Sequence, residues 1–389
     1  MNMYNVQQTI RNAIDNNTLI HFSHTDLDGY GCHLVTRKAA LYTGAEIPIT
    51  YNSEELGDKF QDFLEKVITL FYSNNDDKYT FLVTDIGELD IIGFANRFKN
   101  IKLNLIVIDH HKISDMNKVG EWYYEENGFT VYYNINETGP NIHYIHTADY
   151  AATWIYANVI GLESYKEFYY ISEYDCGRWE EWRLDKTHTP SIMTKLNQGL
   201  QIIKNVYAGE KDSDILNYLS QYVAYLMYEY FGVNKFDVKG VRVFGKAIDH
   251  MVNTKCNENT RLYYKWVKSL NPVTLTHYQY MFSAVEDTAE GSYTKQVMVK
   301  FPKDQVYLGS WVVLVQTEKD EGPFSVYAKQ YLEEHPNING IIKYTPNFKD
   351  IVSLRSASDE IDVSKIAVLN GGGGHPRAAG FMAKPEILM

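Results

Sequence analysis

The sequence predicts an α/β protein of two domains, the first built on a parallel sheet with helices on both faces. Three observations lead there. Short, apolar, β-branched runs recur in the first third of the chain, helical or mixed patterns separate them, and from about residue 237 strand-like runs take over and close on a glycine-rich segment. In order, "TLIHFS" from Thr18, "YTFLVTDI" from Tyr79 and "LNLIVIDHH" from Leu103 read as strands covered on both sides, because they are continuously apolar rather than alternating. Residues 54–71 place Leu56, Phe60, Phe63, Leu64 and Val67 at helical spacing, which suits a crossover helix. "ADYAATWIYANVIGLES" reads as a second helical stretch leading to "EFYYISEYDCGRW", and "DILNYLSQYVAYLMYEYFGVNK" as a long helix. Beyond it, "VRVFGKAI", "QVMVKF", "WVVLVQ" and "GIIKYT" read as β-type. The expected organisation is a domain over 1–195, a helical linker over 196–236 and a smaller C-terminal α/β domain over 237–389.

Length and charge narrow the function. A chain of 389 residues exceeds the usual size of one core, and 45% hydrophobic residues suffice to build two. A net charge of −12 argues against a broad basic face for long nucleic acid, since that affinity comes from Lys and Arg neutralising phosphates. The three cysteines, Cys32, Cys176 and Cys256, have no metal-type spacing, so a disulfide framework or a cysteine zinc site is not expected. No signal-like apolar segment opens the chain, and nowhere do about 18 apolar residues run together. A cytoplasmic protein, not held in a membrane, is the expectation.

Each of the three strand candidates ends in hard metal-ligand chemistry. His24, Asp26 and Asp28 follow the first, Asp85 the second, and Asp109, His110 and His111 the third. In an open parallel sheet ligands bind beyond the carboxyl ends of the strands, so these residues converge although they are far apart in sequence. Carboxylates gathered without cations repel one another, whereas divalent metals relieve that repulsion and suit an oxygen and imidazole shell. An Asp at a strand-to-helix junction is by itself an ordinary cap or turn residue. Capping does not account for a His-His pair behind an aspartate at the end of an apolar strand. The set points to a two-metal site of the kind that promotes in-line displacement at phosphorus, and the absence of thiolates favours Mn²⁺, with Co²⁺ or Mg²⁺ as alternatives.

The stretches "HTDLDGYGC", "VTDI", "IDHH" and "YDCGRW", with the C-terminal "SLRSASDEIDVSKIAVLNGGGGHPRAAGF", resemble the DHH phosphoesterases that carry a DHHA1 domain. The match touches both ends of the chain in the expected order, and "SHTDLDGYGC" is most similar to the small B-type nanoRNase (oligoribonuclease) branch, related to the RecJ-like exonucleases. The resemblance implies that His24, Asp26 and Asp85 hold one metal and Asp28, Asp85, His110 and Asp175 the other, with Asp85 bridging. It implies a catalytic set of Asp28, Asp85, Asp109 and His111, in which His111 faces the substrate phosphate; Asp109 is expected to partner a metal-bound imidazole, which usually needs a carboxylate or carbonyl on its other nitrogen. One departure stands out. In other branches the leading His precedes the two ligand aspartates by four and six residues, whereas His24 precedes Asp26 and Asp28 by two and four, which leaves the division of those aspartates between the metals open.

The segment "NGGGGHPRAAGF" from Asn370 reads by default as a flexible loop, but glycines also let backbone N–H groups approach an anion, and arginines add forked donors. The resemblance assigns Arg355, Ser356, Gly373, Gly374, His375 and Arg377, with His111, to substrate binding. The function implied is hydrolysis of very short RNA to mononucleotides by a metal-activated hydroxide. A RecJ-like single-strand DNA exonuclease, a phosphohydrolase acting on 3'-phosphoadenosine 5'-phosphate or cyclic dinucleotides, and a catalytically silent nucleotide-binding module stand as alternatives. Partners are then short RNA or DNA oligonucleotides or nucleotide phosphates, with no obligate protein partner and a monomer or homodimer as the working form.

Overall fold

The computed structural model describes the chain except residues 1–2, 74–78, 88, 114, 121, 136–138, 177–189, 233–238, 289–290, 316–323, 347–349, 357, 359 and 389. Gly177, Arg178 and Trp179 of the "YDCGRW" motif therefore lie outside the described residues. Internal contacts divide the chain into two units. The first takes in the described residues up to Cys176 together with Ser191–Val252, and the second Pro190 and those from Asn253 onward.

The first unit runs α1 (Met3–Asp15), β1 (Leu19–His24), α2 (Leu27–Thr43), β2 (Ile49–Ser53), α3 (Gly57–Ser73), β3 (Thr80–Thr84), α4 (Ile91–Arg97), β4 (Asn104–Asp109), β5 (Tyr123–Glu126), β6 (Phe129–Ile135), β7 (Asn141–His146), α5 (Ala152–Val159), α6 (Lys166–Asp175), α7 (Ile192–Val206) and α8 (Asp212–Phe231). Its seven-stranded sheet has the order β2-β1-β3-β4-β7-β6-β5. The first five of these strands are parallel, and the β5–β6–β7 meander closes one edge antiparallel. The chain leaves β1 for β2 on one side and returns to β3 on the other, so β1 and β3 bound a topological switch point, where a crevice opens at the carboxyl ends of the strands.

Both faces of the central strands are buried, which is why β1, β3 and β4 read as unbroken apolar runs. Ile20, Phe22, Phe81, Val83, Leu105 and Val107 pack against Phe60, Leu64 and Ile68 of α3 and Phe94 of α4. The alternate residues face α1, α2 and α5, and there the core is partly polar. His21 bridges Thr36 and Thr84 at 2.8 Å each, and Thr36 meets the Tyr156 hydroxyl at 2.9 Å, so these buried groups satisfy one another. Gly31 lets α2 and α5 touch, since a Cβ there would lie 2.3 Å from Thr153 Oγ1.

One expected strand is a helix. "VRVFGKAI" lies within α9 (Lys239–Val267), which carries the chain from the first unit into the second. Val241 and Val243 gave the stretch a strand-like look, but its buried face, Ile248, Val252, Cys256 and Tyr263, repeats at helical spacing over a longer span. Gly245 decides the packing: a Cβ there would lie 2.2 Å from Cγ of Tyr225, so α9 rests directly on the Tyr225 ring of α8.

The second unit continues with β8 (Asn271–Leu275), β9 (Gln279–Thr288), β10 (Gly291–Lys300), β11 (Gly309–Val315), α10 (Phe324–Glu334), β12 (Gly340–Thr345), β13 (Ile351–Arg355), α11 (Val363–Leu369), β14 (Gly373–His375), β15 (Ala378–Met382) and β16 (Glu386–Leu388). A six-stranded sheet, β14-β15-β13-β12-β11-β8, and a three-stranded one, β16-β10-β9, share a core around Trp311, Val313, Ile342, Leu354 and Ile366. The expected mixed α/β architecture with a smaller C-terminal domain is what the structure has. No helix among the described residues is long and apolar enough to cross a membrane.

Candidate metal centre

The centre is assembled at the carboxyl ends of β1, β3 and β4. β1 stops at His24, and α2 begins directly after its N-cap Asp26, whose carboxylate accepts the Gly29 N–H at 3.0 Å. The junction is tight: a Cβ on Gly29 would lie 2.1 Å from the His24 carbonyl oxygen. His24 Nδ1 meets Asp26 Oδ2 at 3.0 Å despite the altered spacing of the motif. Asp28, in the first turn of α2, is completely buried and faces α5, whose leading N–H groups grip both its oxygens: Ala152 N donates to Oδ2 at 2.8 Å and Thr153 N to Oδ1 at 2.9 Å. Asp85 follows β3 in a left-handed conformation (φ 56°), which Asp tolerates better than most residues, and its N–H donates to the Ile108 carbonyl.

His110 is the hub of the inner half. Its Nε2 lies 3.2 Å from Asp85 Oδ1, 3.5 Å from Asp175 Oδ2 and 3.7 Å from Asp28 Oδ2. Asp175, the last residue of α6, thus joins Asp28, Asp85 and His110. On the outer side, ligand atoms of His24, Asp26 and Asp85 all lie within 4.8 Å of one another, as do those of Asp28, Asp85 and His110. Asp85 is common to both groups.

Asp109 and His111 form a second layer. Asp109 accepts His111 Nδ1–H at 2.8 Å, the His111 N–H at 3.2 Å and the Tyr144 hydroxyl at 3.2 Å, while His146 Nε2 donates to the His111 carbonyl at 2.8 Å. Tyr144 and His146 come from β7, whose parallel register sets His146 beside Asp109. Neither stood out in the sequence; only strand pairing brings "NIHYIH" to this place.

Electrostatics describe a crowd of anions. Burial and then the Asp26 charge push the Asp28 carboxyl up to about 6, against the opposing N–H groups of α5. Asp85 and Asp175 are pushed well above the ordinary carboxylate value, by burial first and then by neighbouring carboxylates. Burial also raises Asp26, but the His24 imidazole and the Gly29 N–H outweigh it and hold the carboxyl below its usual range. Burial acts likewise on Asp109, yet His111 draws it down to about 2; desolvation lowers the half-buried His111 imidazole, but Asp109 outweighs it and raises the group to about 9. Two carboxylate oxygens, Asp85 Oδ2 and Asp175 Oδ2, are buried and accept no hydrogen bond. Among the described residues no Lys or Arg pairs with any of these aspartates. A set of oxygens and imidazoles with orphaned buried carboxylate oxygens and unrelieved repulsion fits divalent cations.

In the second unit the residues assigned to substrate binding gather at one end of the six-stranded sheet. Arg355 closes β13 and pairs in register with Ala378, Gly374 with Ala379 and His375 with Ala378, so the β14–β15 hairpin sits beside β13. The Arg355 guanidinium donates to the Leu354 carbonyl and to Ser325 Oγ and lies 5.1 Å from the Phe324 ring centre. The Ser356 N–H donates to the Arg377 carbonyl. Of the neighbouring glycines, Gly374 is forced by its backbone (φ 136°) and by a Cβ position 2.6 Å from the Ala378 oxygen, whereas Gly373 faces open space.

No protein-family signature matches the sequence, and no curated protein matches it. Solved structures do. Over 98% of this chain and 86% of its own, the DHH domain of a protein described as belonging to a family of ribosomal proteins is similar with a TM-score of 0.51 at 13% identity. RecJ in complex with Mn²⁺ from Thermus thermophilus gives a TM-score of 0.45 at 15% identity, covering 98% of this chain, which spans about half (52%) of that protein. Exonuclease RecJ bound to manganese gives 0.42 at 14%, with 99% of this chain and 90% of that one covered. The first likeness shows a shared fold: this chain is folded like that DHH-domain protein.

Proposed function

We propose that the protein is a two-metal-dependent phosphodiesterase of the nanoRNase type, which hydrolyses very short RNA oligonucleotides to mononucleotides. The observation that carries this reading is the convergence of His24, Asp26, Asp28, Asp85, His110 and Asp175 at one sheet edge, with Asp85 shared by two ligand groups and two buried carboxylate oxygens left without donors. His24, Asp26 and Asp85 would hold one cation, and Asp28, Asp85, His110 and Asp175 the other. The chemistry such cations supply is charge neutralisation at phosphorus and a water whose pKa falls from 15.7 towards about 7.

The remaining steps belong to the chain's own side chains. Asp28 is immobilised by the first turn of α5, so its carboxylate cannot swing away from the site. His111, charged through its pairing with Asp109, keeps Nε2–H as a donor for a non-bridging phosphate oxygen, and Tyr144 and His146 hold that arrangement in place. No protein nucleophile is needed: Cys32 is buried, and burial, with the Asp28 charge, raises its thiol well above the ordinary value. The Arg355, Ser356 and His375–Arg377 group of the second unit is the proposed grip on the substrate's phosphates. The acidic balance favours short substrates, because a long polyanion gains little from a surface of this sign.

Product analysis with Mn²⁺ tests the reading. An end-labelled RNA dinucleotide and pentanucleotide, a long single-stranded DNA, 3'-phosphoadenosine 5'-phosphate and cyclic di-AMP are offered in parallel. Conversion of the short RNAs to mononucleotides ahead of the other three arms supports it. Preferred attack on the long DNA assigns a RecJ-like exonuclease instead, and preferred attack on either signalling nucleotide a phosphohydrolase of that class.

A further inference from the structure

We propose that Asn52 and Lys204 are positioning residues for the outer half of the metal centre: together they clamp the backbone link between His24 and Asp26 by its carbonyl oxygens. The proposal rests on the two-metal reading of the site and adds residues to it from two elements that carry no ligand.

The link is short. β1 ends on His24 and α2 is capped by Asp26, so Thr25 alone separates the two outer ligands. Each carbonyl along it has a partner of different origin. The His24 oxygen accepts Asn52 Nδ2–H at 2.5 Å from β2, the Thr25 oxygen accepts Lys204 Nζ–H at 3.1 Å from α7, and the Asp26 oxygen accepts the Tyr30 N–H from within α2. β2 is the parallel neighbour of β1 with Asn52 opposite Ser23, which delivers the amide to the strand end. Lys204 comes from far along the chain. Its other described contact is the face of Tyr30, 5.8 Å away on the same helix α2, and it makes no ion pair with a carboxylate among the described residues. An ammonium spent on a loop carbonyl, where water could serve, indicates that the position of that carbonyl matters.

The two halves of the centre differ in what fixes them. The inner ligands are locked by packing: Asp28 is 0% exposed and His110 3%. The outer pair, His24 and Asp26, is 25% and 44% exposed, and its side chains are held by their own 3.0 Å contact and the Gly29 N–H rather than by burial. The clamp therefore acts where packing does not, and its loss falls on the outer site alone. Removing groups that orient metal ligands typically costs about 10–100-fold in metal affinity.

Calorimetric titration with Mn²⁺ of the full chain, its Lys204→Met and Asn52→Ala variants, and Lys204→Arg tests this. The wild type is expected to take up two ions. Lys204→Met and Asn52→Ala are each expected to weaken one of the two events by about 10-fold or more while leaving the other unchanged, and Lys204→Arg to restore it. Met keeps an unbranched aliphatic side chain without the ammonium, and the variants lie on separate elements, so a folding defect in one, visible by circular dichroism, leaves the other to decide. Two events unchanged in both variants, or both events weakened equally, overturns the clamp while the two-metal reading stands. A wild type that binds no Mn²⁺ overturns the two-metal reading and the clamp with it.

Discussion

Asp109 is a carboxylate buried among donors, and the three hydrogen bonds it accepts from His111 and Tyr144 make a testable arrangement at the scale of single residues. Tyr144→Phe removes one donor without changing shape. The loss of a hydrogen bond to a buried charge costs roughly 1.5–3 kcal/mol, and because His111 is held through Asp109, the cost should appear in catalysis. A fall in kcat of about 10-fold or more with KM little changed is expected in steady-state kinetics. A stability loss with kcat untouched would separate Tyr144 from His111. The same crowd of carboxylates sets a pH dependence. Asp28 has its folded-state value raised to about 6, so the metal-free folded protein holds that proton more tightly than the unfolded chain does. The stability it contributes is present below the ordinary carboxylate value and is lost as pH rises through about 6; Asp85 and Asp175 shift in the same direction. Mn²⁺ should therefore raise the melting temperature more at pH 8 than at pH 5, and an increment that is larger at pH 5 would contradict the repulsion described here.

Elements explain what the sequence could and could not reveal. β1, β3 and β4 were legible because burial on both faces leaves an unbroken apolar run, and the chemistry at their ends was legible because Asp and His are out of place there. β2, "ITYNS", was not: it is an edge strand, half exposed, and nothing in five residues distinguishes it from a loop. "VRVFGKAI" misled because β-branched residues overlie a helical face that shows only across the longer span of α9. Asn52, Tyr144, His146 and Lys204 carry no signal alone; pairing of β1 with β2, pairing of β4 with β7, and the approach of α7 to the Thr25 carbonyl give them their places. The β1–α2 junction offers a direct check. Gly29→Ala sets a methyl against the His24 carbonyl and forces the two elements apart, at a cost of roughly 1–3 kcal/mol for overpacking. Urea unfolding should report that loss, with metal uptake weakened as the ligands move; a variant as stable and as metal-competent as the wild type would show that the close approach is not required.

At the scale of the whole molecule, the chain joins a unit that gathers Asp and His side chains at one sheet edge with one that carries the Gly371–Gly374 run, Arg355 and Arg377, under a net charge of −12. That balance gives a long polyanion little purchase, since its affinity depends on neutralising many phosphates. Excess long single-stranded DNA should leave cleavage of an RNA dinucleotide nearly unchanged at 0.15 M salt, about the physiological ionic strength, and strong competition would show an extended binding track. The central claim, however, concerns the sheet edge, and it is tested most directly by crystals grown with Mn²⁺ and an anomalous difference map. The account predicts two peaks about 3.5–4 Å apart, one beside His24 and Asp26, the other beside Asp28, His110 and Asp175, with Asp85 between them. An empty edge, or manganese bound only elsewhere on the chain, would contradict it.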